Sequence, residues 1–285
     1  RWNWIVESRR DLLENPKLLG LLIPRRSEIS VFSNHKVFLS SLKKISPNRS
    51  KIVVFVTQLQ DSELSVIRSN INAFNLSKRI IVQNLFVFKS LVDAGVDESI
   101  LSLFPGAIDR NLFYPTLENV VSENKFVLIS GDFKERKNPE MIKKVISQFP
   151  YIKFLIHGNN LKIFGNGFSD KYKNVELIDF KYSNQPSLMR DASAYLMIST
   201  LEGGPISVLE SLASGTPVVA SNVGFCSDYI NSDNGWLLND SSDINEIENA
   251  LNYAMNLKGK VFKDDLLNGR FTWVELGKLL FDLQV

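Results

Sequence analysis

The sequence predicts an α/β fold in which helices cover both faces of parallel β-sheets. Short, near-continuous apolar runs rich in β-branched residues recur along the chain, and segments with helical spacing of apolar residues separate them. The composition, with 44% hydrophobic and 22% charged residues, is that of a globular protein. The 285 residues are enough for two domains of modest size.

The alternation is clearest after residue 125. The runs that predict strands are Phe126–Ser130, Ile152–Ile156, Val175–Ile178, Tyr195–Ile198 and Pro217–Ala220. The segments that predict helices are the one after Asn138, then Ile206–Ala213 and Ile244–Leu257. Asn138 is a favourable N-cap and Pro139 suits a first helical turn, whereas Gly215 ends the second helix.

The first half of the chain has the same alternation in a weaker form. Predicted strands are Ile29–Phe32, Ile52–Val56 and Ile80–Val82, and predicted helices are Ser62–Phe74 and Leu85–Ala94. Asn111–Lys125 lacks periodicity and indicates a linker. We therefore expect a short, reduced or truncated N-terminal domain over residues 1–115 and a C-terminal domain over 116–270. A terminal helix over 271–285 would cap its own domain or cross back to the first.

Composition excludes several classes of function. Lys and Arg total 33 and Asp and Glu total 31, so the net charge of 33 − 31 = +2 gives no surplus for binding nucleic acid. One cysteine, Cys226, cannot form an internal disulfide, and the apolar runs are shorter than the ~20 residues of a membrane-spanning helix. Two histidines and no Asp-x-Asp triplet argue against a metal site. We expect a cytoplasmic protein without cofactor or metal, with at most peripheral contact at the inner face of a membrane.

The stretch Ser199–Ala220 is typical of an anion-binding site. A buried strand ends near Thr200, a loop with Glu202 and two glycines follows, and a helix begins after Pro205. Glycines let backbone N–H groups approach a ligand, and a helix N-terminus offers unpaired donors and a positive dipole end. Glu210, one to two turns along that helix, is a carboxylate that could accept hydrogen bonds from a ribose diol.

This stretch resembles the paired-glutamate signature of retaining GT-B glycosyltransferases, and glycosyltransferase family 4 in particular. Seven residues separate Glu202 from Glu210, with Gly-Gly-Pro between them and Ala-Ser-Gly-Thr-Pro-Val-Val-Ala after them. Further similar segments are Pro105–Pro115, Gly131–Asn138, Asn174–Phe180 and the helix that follows Phe271-Thr-Trp273. The resemblance covers about residues 80–283 and implies two Rossmann-like, doubly wound parallel-sheet domains facing a cleft.

The resemblance also implies a nucleotide-sugar-dependent transferase and roles for individual residues. Glu210 would bind the ribose, Glu202 the donor sugar, and Lys137 the diphosphate, where a fixed cation stabilises the charge of the leaving group. The remaining residues expected to bind the donor are Gly131, Gly203, Gly204, Pro205, Ile206, Ser207 and Phe180. The expected reaction moves a hexose-type sugar, from a UDP- or GDP-sugar, to a glycan, lipid-linked or protein hydroxyl with retention.

One position departs from the family pattern. Asp132 stands where the family has an arginine, so Arg136 or Lys134 would have to supply the second cation. The departure and the short first half keep a non-catalytic sugar-nucleotide or glycan-binding module open, and a nucleotide-sugar epimerase is a further alternative. His35 is a candidate for contact with the acceptor and His157 for a base, although loop histidines are more often structural.

Overall fold

The computed structural model describes residues 29–41, 51–57, 59, 61–115, 125–258 and 271–281. The chain divides into two compact units. One holds the described residues up to Phe104 together with those from Leu279 onward, and the other spans Pro105–Lys278. Each unit has its own parallel sheet, so the predicted α/β class is confirmed in both. Residues 116–124 of the predicted linker lie outside the described residues.

The N-terminal sheet has four parallel strands in the order β1-β2-β3-β4. The strands are β1 (Ile29–Phe32), β2 (Lys51–Val56), β3 (Arg79–Val82) and β4 (Leu101–Leu103). The helices are α1 (His35–Ser41), α2 (Asp61–Ser69), α3 (Ile71–Asn75) and α4 (Leu85–Asp93). Phe38 packs edge-to-face against both Phe32 and Phe74, at 5.3 and 5.2 Å between ring centroids, and so joins β1, α1 and α3 in one core.

The three predicted N-terminal strands are confirmed, but the single helix predicted over Ser62–Phe74 is wrong. The structure has α2 and α3 instead, with a non-helical break at Asn70 (φ −121°, ψ 22°). The Asn70 side-chain amide donates to the Val66 carbonyl at 2.8 Å, a bond that competes with continuation of the helix. Strand β4 was not predicted, because three residues are too few to show a periodic pattern.

The C-terminal sheet has six parallel strands in the order β10-β9-β8-β5-β6-β7. They are β5 (Val127–Asp132), β6 (Phe154–Asn159), β7 (Val175–Asp179), β8 (Ala194–Met197), β9 (Val218–Ser221) and β10 (Gly235–Leu238). The helices are α5 (Pro139–Gln148), α6 (Phe168–Lys171), α7 (Gln185–Asp191), α8 (Ile206–Ala213), α9 (Cys226–Tyr229) and α10 (Ile244–Leu257). The last helix, α11 (Trp273–Phe281), belongs to this unit up to Lys278 and to the N-terminal unit from Leu279 onward. The strand order reverses between β5 and β8, which is where sheets of this kind bind ligands.

Helices pack on both faces of this sheet through apolar side chains, and for that reason its strands carry apolar residues on both sides. On one face, α5 and α10 contribute to the core through residues such as Val145 and Ile247. On the other face, α7, α8 and α9 contribute through residues such as Met189, Leu209 and Cys226. The carboxyl ends of the strands are therefore held by a rigid two-sided core.

Two local expectations for this domain need correction. Asn138 does precede α5, but it is left-handed (φ 55°) and its side chain makes no capping hydrogen bond. Strand β10 was not predicted. A Cβ on Gly235, its first residue, would lie 2.0 Å from the Val218 carbonyl oxygen, so only glycine fits at that close approach to β9. The five strands predicted after residue 125 are present, with ends displaced by a few residues.

Candidate functional site

Two loops meet at the point where the strand order reverses. Strands β5 and β8 are hydrogen-bonded neighbours, so the loops that follow them leave the same edge of the sheet. The Thr200 N–H donates to the Arg136 carbonyl at 2.8 Å, and the Arg136 guanidinium donates to the Leu201 carbonyl at 3.2 Å. These bonds fix the two loops together and bring residues more than sixty positions apart into one site.

The central group of the site is a carboxylate held between two cations. Glu202 Oε1 lies 2.6 Å from Lys137 Nζ, and Glu202 Oε2 lies 2.6 Å from Arg136 Nη1. The Glu202 side chain is 8% exposed and that of Arg136 is 39% exposed. Burial acts to raise the pKa of Glu202, but the charge and hydrogen bond of Lys137 and those of Arg136 outweigh it and lower the pKa. Glu202 is therefore ionised at neutral pH.

Gly131 makes room for the lysine of this pair. It lies near the end of β5 with φ +153°, and a Cβ there would lie 3.3 Å from Lys137 Cε and 3.5 Å from Lys137 Nζ. The lysine side chain thus packs against the bare backbone of Gly131 on its way to Glu202. A side chain at this position would both strain the backbone and push the ammonium group aside.

Of the two candidates for the second cation, it is Arg136 that shares the Glu202 carboxylate with Lys137. Lys134 instead turns to Asp132, with 3.1 Å between its Nζ and Oδ2. The other oxygen of Asp132 accepts a hydrogen bond from the Asn160 amide. The acidic residue at the family's arginine position therefore has partners of its own, separate from those of Glu202.

The loop that carries Glu202 leads into the N-terminus of α8. Pro205 precedes this helix without a side-chain cap, and its first turn holds no acidic residue. Gly203 is buried, and the Gly224 backbone packs so closely on it that a Cβ on Gly224 would lie 2.7 Å from the Gly203 carbonyl oxygen. A helix N-terminus carries roughly half a positive charge, so α8, Arg136 and Lys137 together favour an anion.

Glu210 has surroundings unlike those of Glu202. It lies within α8 and is 7% exposed. Burial raises its pKa to about 7, and a hydrogen bond from the Gln185 amide, 3.5 Å between Nε2 and Oε2, opposes that shift. The same amide nitrogen donates to Ser130 Oγ at 2.9 Å. Glu210 therefore titrates near neutral pH.

His157 is connected to Glu210 through Gln185. The His157 ring is fully buried and stacks on Phe180 at 4.9 Å between centroids. Its Nδ1 lies 2.7 Å from Gln185 Oε1, and its Nε2 accepts from the Lys181 N–H at 3.0 Å. Both ring nitrogens are thus engaged by protein groups, which fits the structural role better than that of a base. His35 lies in the N-terminal unit, 3.6 Å from a Glu63 carboxylate oxygen.

Sequence reasoning did not single out several polar residues of this site. Ser130, Gln185 and Tyr195 are buried, and the Tyr195 hydroxyl lies 2.7 Å from Ser207 Oγ. Burial raises the pKa of Tyr195 to about 12, so its hydroxyl stays protonated. Ser130 could have been noticed because it directly precedes Gly131 at a strand end. Nothing in the sequence pattern marks Gln185 or Tyr195, which read as ordinary helix and strand residues.

Metal-binding and membrane-spanning features are absent from the described residues. Within those residues, His, Cys, Asp and Glu side chains form no group of three or more that could hold a metal ion. Each of the described helices is too short or too polar to cross a membrane.

Comparison with known proteins places the chain among glycosyltransferases. A profile of the family described as glycosyl transferases group 1 matches residues 117–264. The UDP-Gal:alpha-D-GlcNAc-diphosphoundecaprenol alpha-1,3-galactosyltransferase of Escherichia coli is 24% identical in an alignment 221 residues long, and the match covers 68% of this chain and 54% of that protein. The chain thus spans about half the length of this curated relative.

Solved structures show the same fold. HepE of Anabaena, in complex with UDP and glucose, superposes with a TM-score of 0.68 at 14% identity, over 95% of this chain and 80% of HepE. Sucrose-phosphate synthase of Thermosynechococcus elongatus gives 0.70 at 17% identity, over 90% of this chain and 73% of that one. The chain belongs to the glycosyl transferases group 1 family, and its two parallel-sheet domains have the GT-B fold.

Proposed function

We propose that this chain transfers a hexose from a nucleoside-diphosphate sugar to a hydroxyl group, with UDP as the nucleotide. The observation that carries the proposal is the pair of cations, Arg136 and Lys137, held by Glu202 on the loop that leads into the N-terminus of α8, which has no side-chain cap. The E. coli relative is named for UDP-Gal, and the HepE structure contains UDP and glucose, which supports the choice of nucleotide.

In this proposal the diphosphate binds to the two cations and the helix N-terminus. The leaving group gains negative charge as the bond between the sugar and the diphosphate breaks. Because Lys137 is held by Glu202 and packed on Gly131, its charge is already in place and stabilises the transition state more than the ground state. Glu202, ionised by its cations, accepts hydrogen bonds from hydroxyls of the donor sugar.

The nucleoside half of the donor lies along α8 and the end of β7. Glu210 accepts hydrogen bonds from the ribose diol. Phe180, supported from one side by the stacked His157 ring, lies beside the base. Tyr182, half exposed, has its pKa raised by desolvation and then by the charges of Glu210 and Asp109, which indicates that it faces the same space.

We propose transfer with retention and without a metal or other cofactor. The acceptor hydroxyl attacks the anomeric carbon on the face from which the diphosphate leaves. The bond from that carbon to the diphosphate oxygen breaks, a bond to the acceptor oxygen forms, and the departing diphosphate takes the acceptor proton. Arg136, Lys137 and α8 supply the positive charge that a bridging metal provides elsewhere.

The acceptor we propose is a glycan on a lipid carrier, since the E. coli relative is named for a diphosphoundecaprenol-linked acceptor. Such an acceptor would bring the protein to a membrane surface as a peripheral protein. A non-catalytic sugar-nucleotide-binding module is the second candidate. It is favoured by Asp132, which puts a carboxylate, paired with Lys134, where the family has an arginine.

The test is calorimetric titration with UDP, GDP, ADP, CDP and dTDP, followed by incubation with UDP-hexoses and acceptors. We expect UDP to bind best and Glu210→Ala to weaken it by about 1–3 kcal/mol, the cost of losing a hydrogen bond to a charged group. A product with the anomeric configuration of the donor, seen by NMR, supports the transferase. Binding without turnover would favour the binding module, and an inverted product would contradict retention.

A further inference from the structure

A chain of buried polar groups connects four elements of the C-terminal unit and ends at Glu210 on α8. It consists of His157 on β6, Gln185 at the beginning of α7, Ser130 on β5 and Glu210 on α8, and these residues are 0%, 2%, 5% and 7% exposed. Buried polar groups are costly unless hydrogen-bonded, so a connected set of four defines one arrangement of these side chains.

The direction of each bond follows from the one donor that cannot be reversed. The backbone N–H of Lys181 can only donate, so His157 Nε2, at 3.0 Å from it, is an acceptor. The neutral imidazole then carries its proton on Nδ1 and donates it to Gln185 Oε1 at 2.7 Å.

This tautomer in turn fixes the amide of Gln185. Because Oε1 accepts from the imidazole, the NH₂ group points the other way, to Ser130 Oγ at 2.9 Å and Glu210 Oε2 at 3.5 Å. A reversed amide would set its oxygen against the Glu210 carboxylate and its NH₂ group against the imidazole N–H, so both contacts would be repulsive.

We propose that His157 and Gln185 are positioning residues for Glu210. The hydrogen bonds from His157 to Gln185 and from Gln185 to Glu210, called the relay here, hold a donor against the Glu210 carboxyl group and favour its ionised form, which binds the ribose. The inference rests on the proposed function, in which Glu210 binds the ribose. His157 acts through Gln185, and Gln185 acts through Glu210.

The groups around Glu210 determine how strongly its ionisation depends on the Gln185 amide. Burial raises the pKa of Glu210, and the amide of Gln185 acts in the opposite direction. The other groups that face it are the phenols of Tyr182, on the segment after β7, and Tyr195, on β8, whose pKa values are themselves raised. The Tyr195 phenol is also acted on by the charge of Glu202, on the loop after β8. The donor from Gln185 therefore favours ionisation where burial opposes it.

A matched pair of substitutions separates the two contacts of His157. In His157→Asn, the side-chain amide reaches the position of Nδ1 and can still donate to Gln185. In His157→Gln, the longer amide reaches the position of Nε2, which keeps the bond from Lys181 but loses Gln185. Gln185→Leu removes the relay altogether, and Ser187→Ala, on the exposed side of α7, is the control. Thermal unfolding of each variant checks that it is folded.

The first readout needs no nucleotide. The pKa of Glu210 is measured by NMR on protein with ¹³C-labelled glutamate carboxyls, with Glu210→Gln for assignment. We expect it to stay near the wild-type value in His157→Asn and Ser187→Ala, and to rise in His157→Gln and Gln185→Leu. Equal pKa values of Glu210 in His157→Asn and His157→Gln would overturn the inference. These two variants test the inference even if Gln185→Leu does not fold.

The second readout is UDP affinity between pH 6 and pH 9. We expect the wild type to bind more tightly as Glu210 ionises. His157→Gln should bind roughly tenfold more weakly at pH 7, the cost of a lost hydrogen bond to a charged group, and recover towards the wild type at pH 9. A loss that persists at every pH would mean a merely structural role. Absence of UDP binding by the wild type, with the NMR shifts as expected, would refute the proposed function but not the control of Glu210 by the relay.

Discussion

The two glutamates of one motif, Glu202 and Glu210, are both buried, yet the protein shifts their pKa values in opposite directions. Glu202 lies in a loop between Lys137 and Arg136, and its pKa is lowered. Glu210 lies in the following helix with a neutral amide at 3.5 Å, and its pKa is raised to about 7. Burial alone therefore does not determine ionisation. The partners that the fold brings to each carboxyl decide it.

In the proposed function, this difference gives the two glutamates separate roles. A permanently ionised carboxylate can hold two cations in place for an incoming diphosphate. A carboxyl that titrates near neutral pH can exist neutral in the empty site and ionise when hydroxyl donors arrive. Pairs of acidic groups whose environments separate their pKa values are typical of active sites.

The largest effect should come from removing Lys137, the less exposed of the two cations beside Glu202. For Lys137→Ala we expect sugar transfer to fall by about 10²–10³-fold in kcat, because a fixed positive charge at the leaving group is lost. The matched control is Lys134→Ala, in the same loop, whose ammonium group pairs with Asp132. It should change kcat by no more than a few-fold. Comparable losses in both variants would show that the loop needs net charge and not the contact with Glu202.

The next largest effect should be the stability gained when Glu210 can no longer ionise. The pKa of Glu210 in the folded protein lies above its ordinary value of 4.5, so ionisation of this carboxyl group destabilises the folded state. Glu210→Gln should therefore gain stability relative to the wild type as pH rises from 4.5 to 7, reaching about 3 kcal/mol at most above pH 7. Urea denaturation at several pH values measures this difference. A difference that does not change with pH would contradict the burial argument.

For Glu202→Gln we expect the opposite change in the free energy of unfolding, a loss of stability, and a dependence on pH below 4.5. The folded-state pKa of Glu202 is lowered, so its ionisation contributes stability above its ordinary pKa of 4.5, and that contribution is lost as pH falls through the folded-state pKa. We expect the variant to be less stable than the wild type at pH 7 by about 1–3 kcal/mol, with Lys137 left without its carboxylate. The gap should narrow below pH 4.5. Denaturation of the two proteins in acid would contradict this if the gap widened.

The sequence predicted some of these features well and others not at all. The strand ends, the loop glycines and the spacing of Glu202 and Glu210 are local, so residues 199–220 alone indicate an anion site. The family resemblance implied that Lys137 contacts the diphosphate and Glu202 the donor sugar, but it did not predict an ion pair between them. That contact depends on the pairing of β5 with β8, which brings the two loops together. By contrast, the relay from His157 to Glu210 needs β6, α7 and α8 in register. Its directly bonded members are up to fifty-five positions apart along the chain and follow no periodic pattern.

The smallest effect should come from Arg136, the exposed partner of Glu202. Its side chain is 39% exposed, so water competes for its hydrogen bonds to the Glu202 carboxylate and the Leu201 carbonyl. Arg136→Lys keeps the charge but loses the planar guanidinium whose Nη1 contacts both groups, and we expect kcat/KM to fall by about three- to fivefold. Arg136→Ala loses the charge as well and should fall by about tenfold or more, with a weaker dependence on ionic strength than the wild type. Steady-state kinetics at low and high salt distinguish the two variants. If Arg136→Ala behaved like the wild type, Lys137 alone would be the cation that serves the diphosphate, and the comparison would reduce to one charged pair and one buried acid.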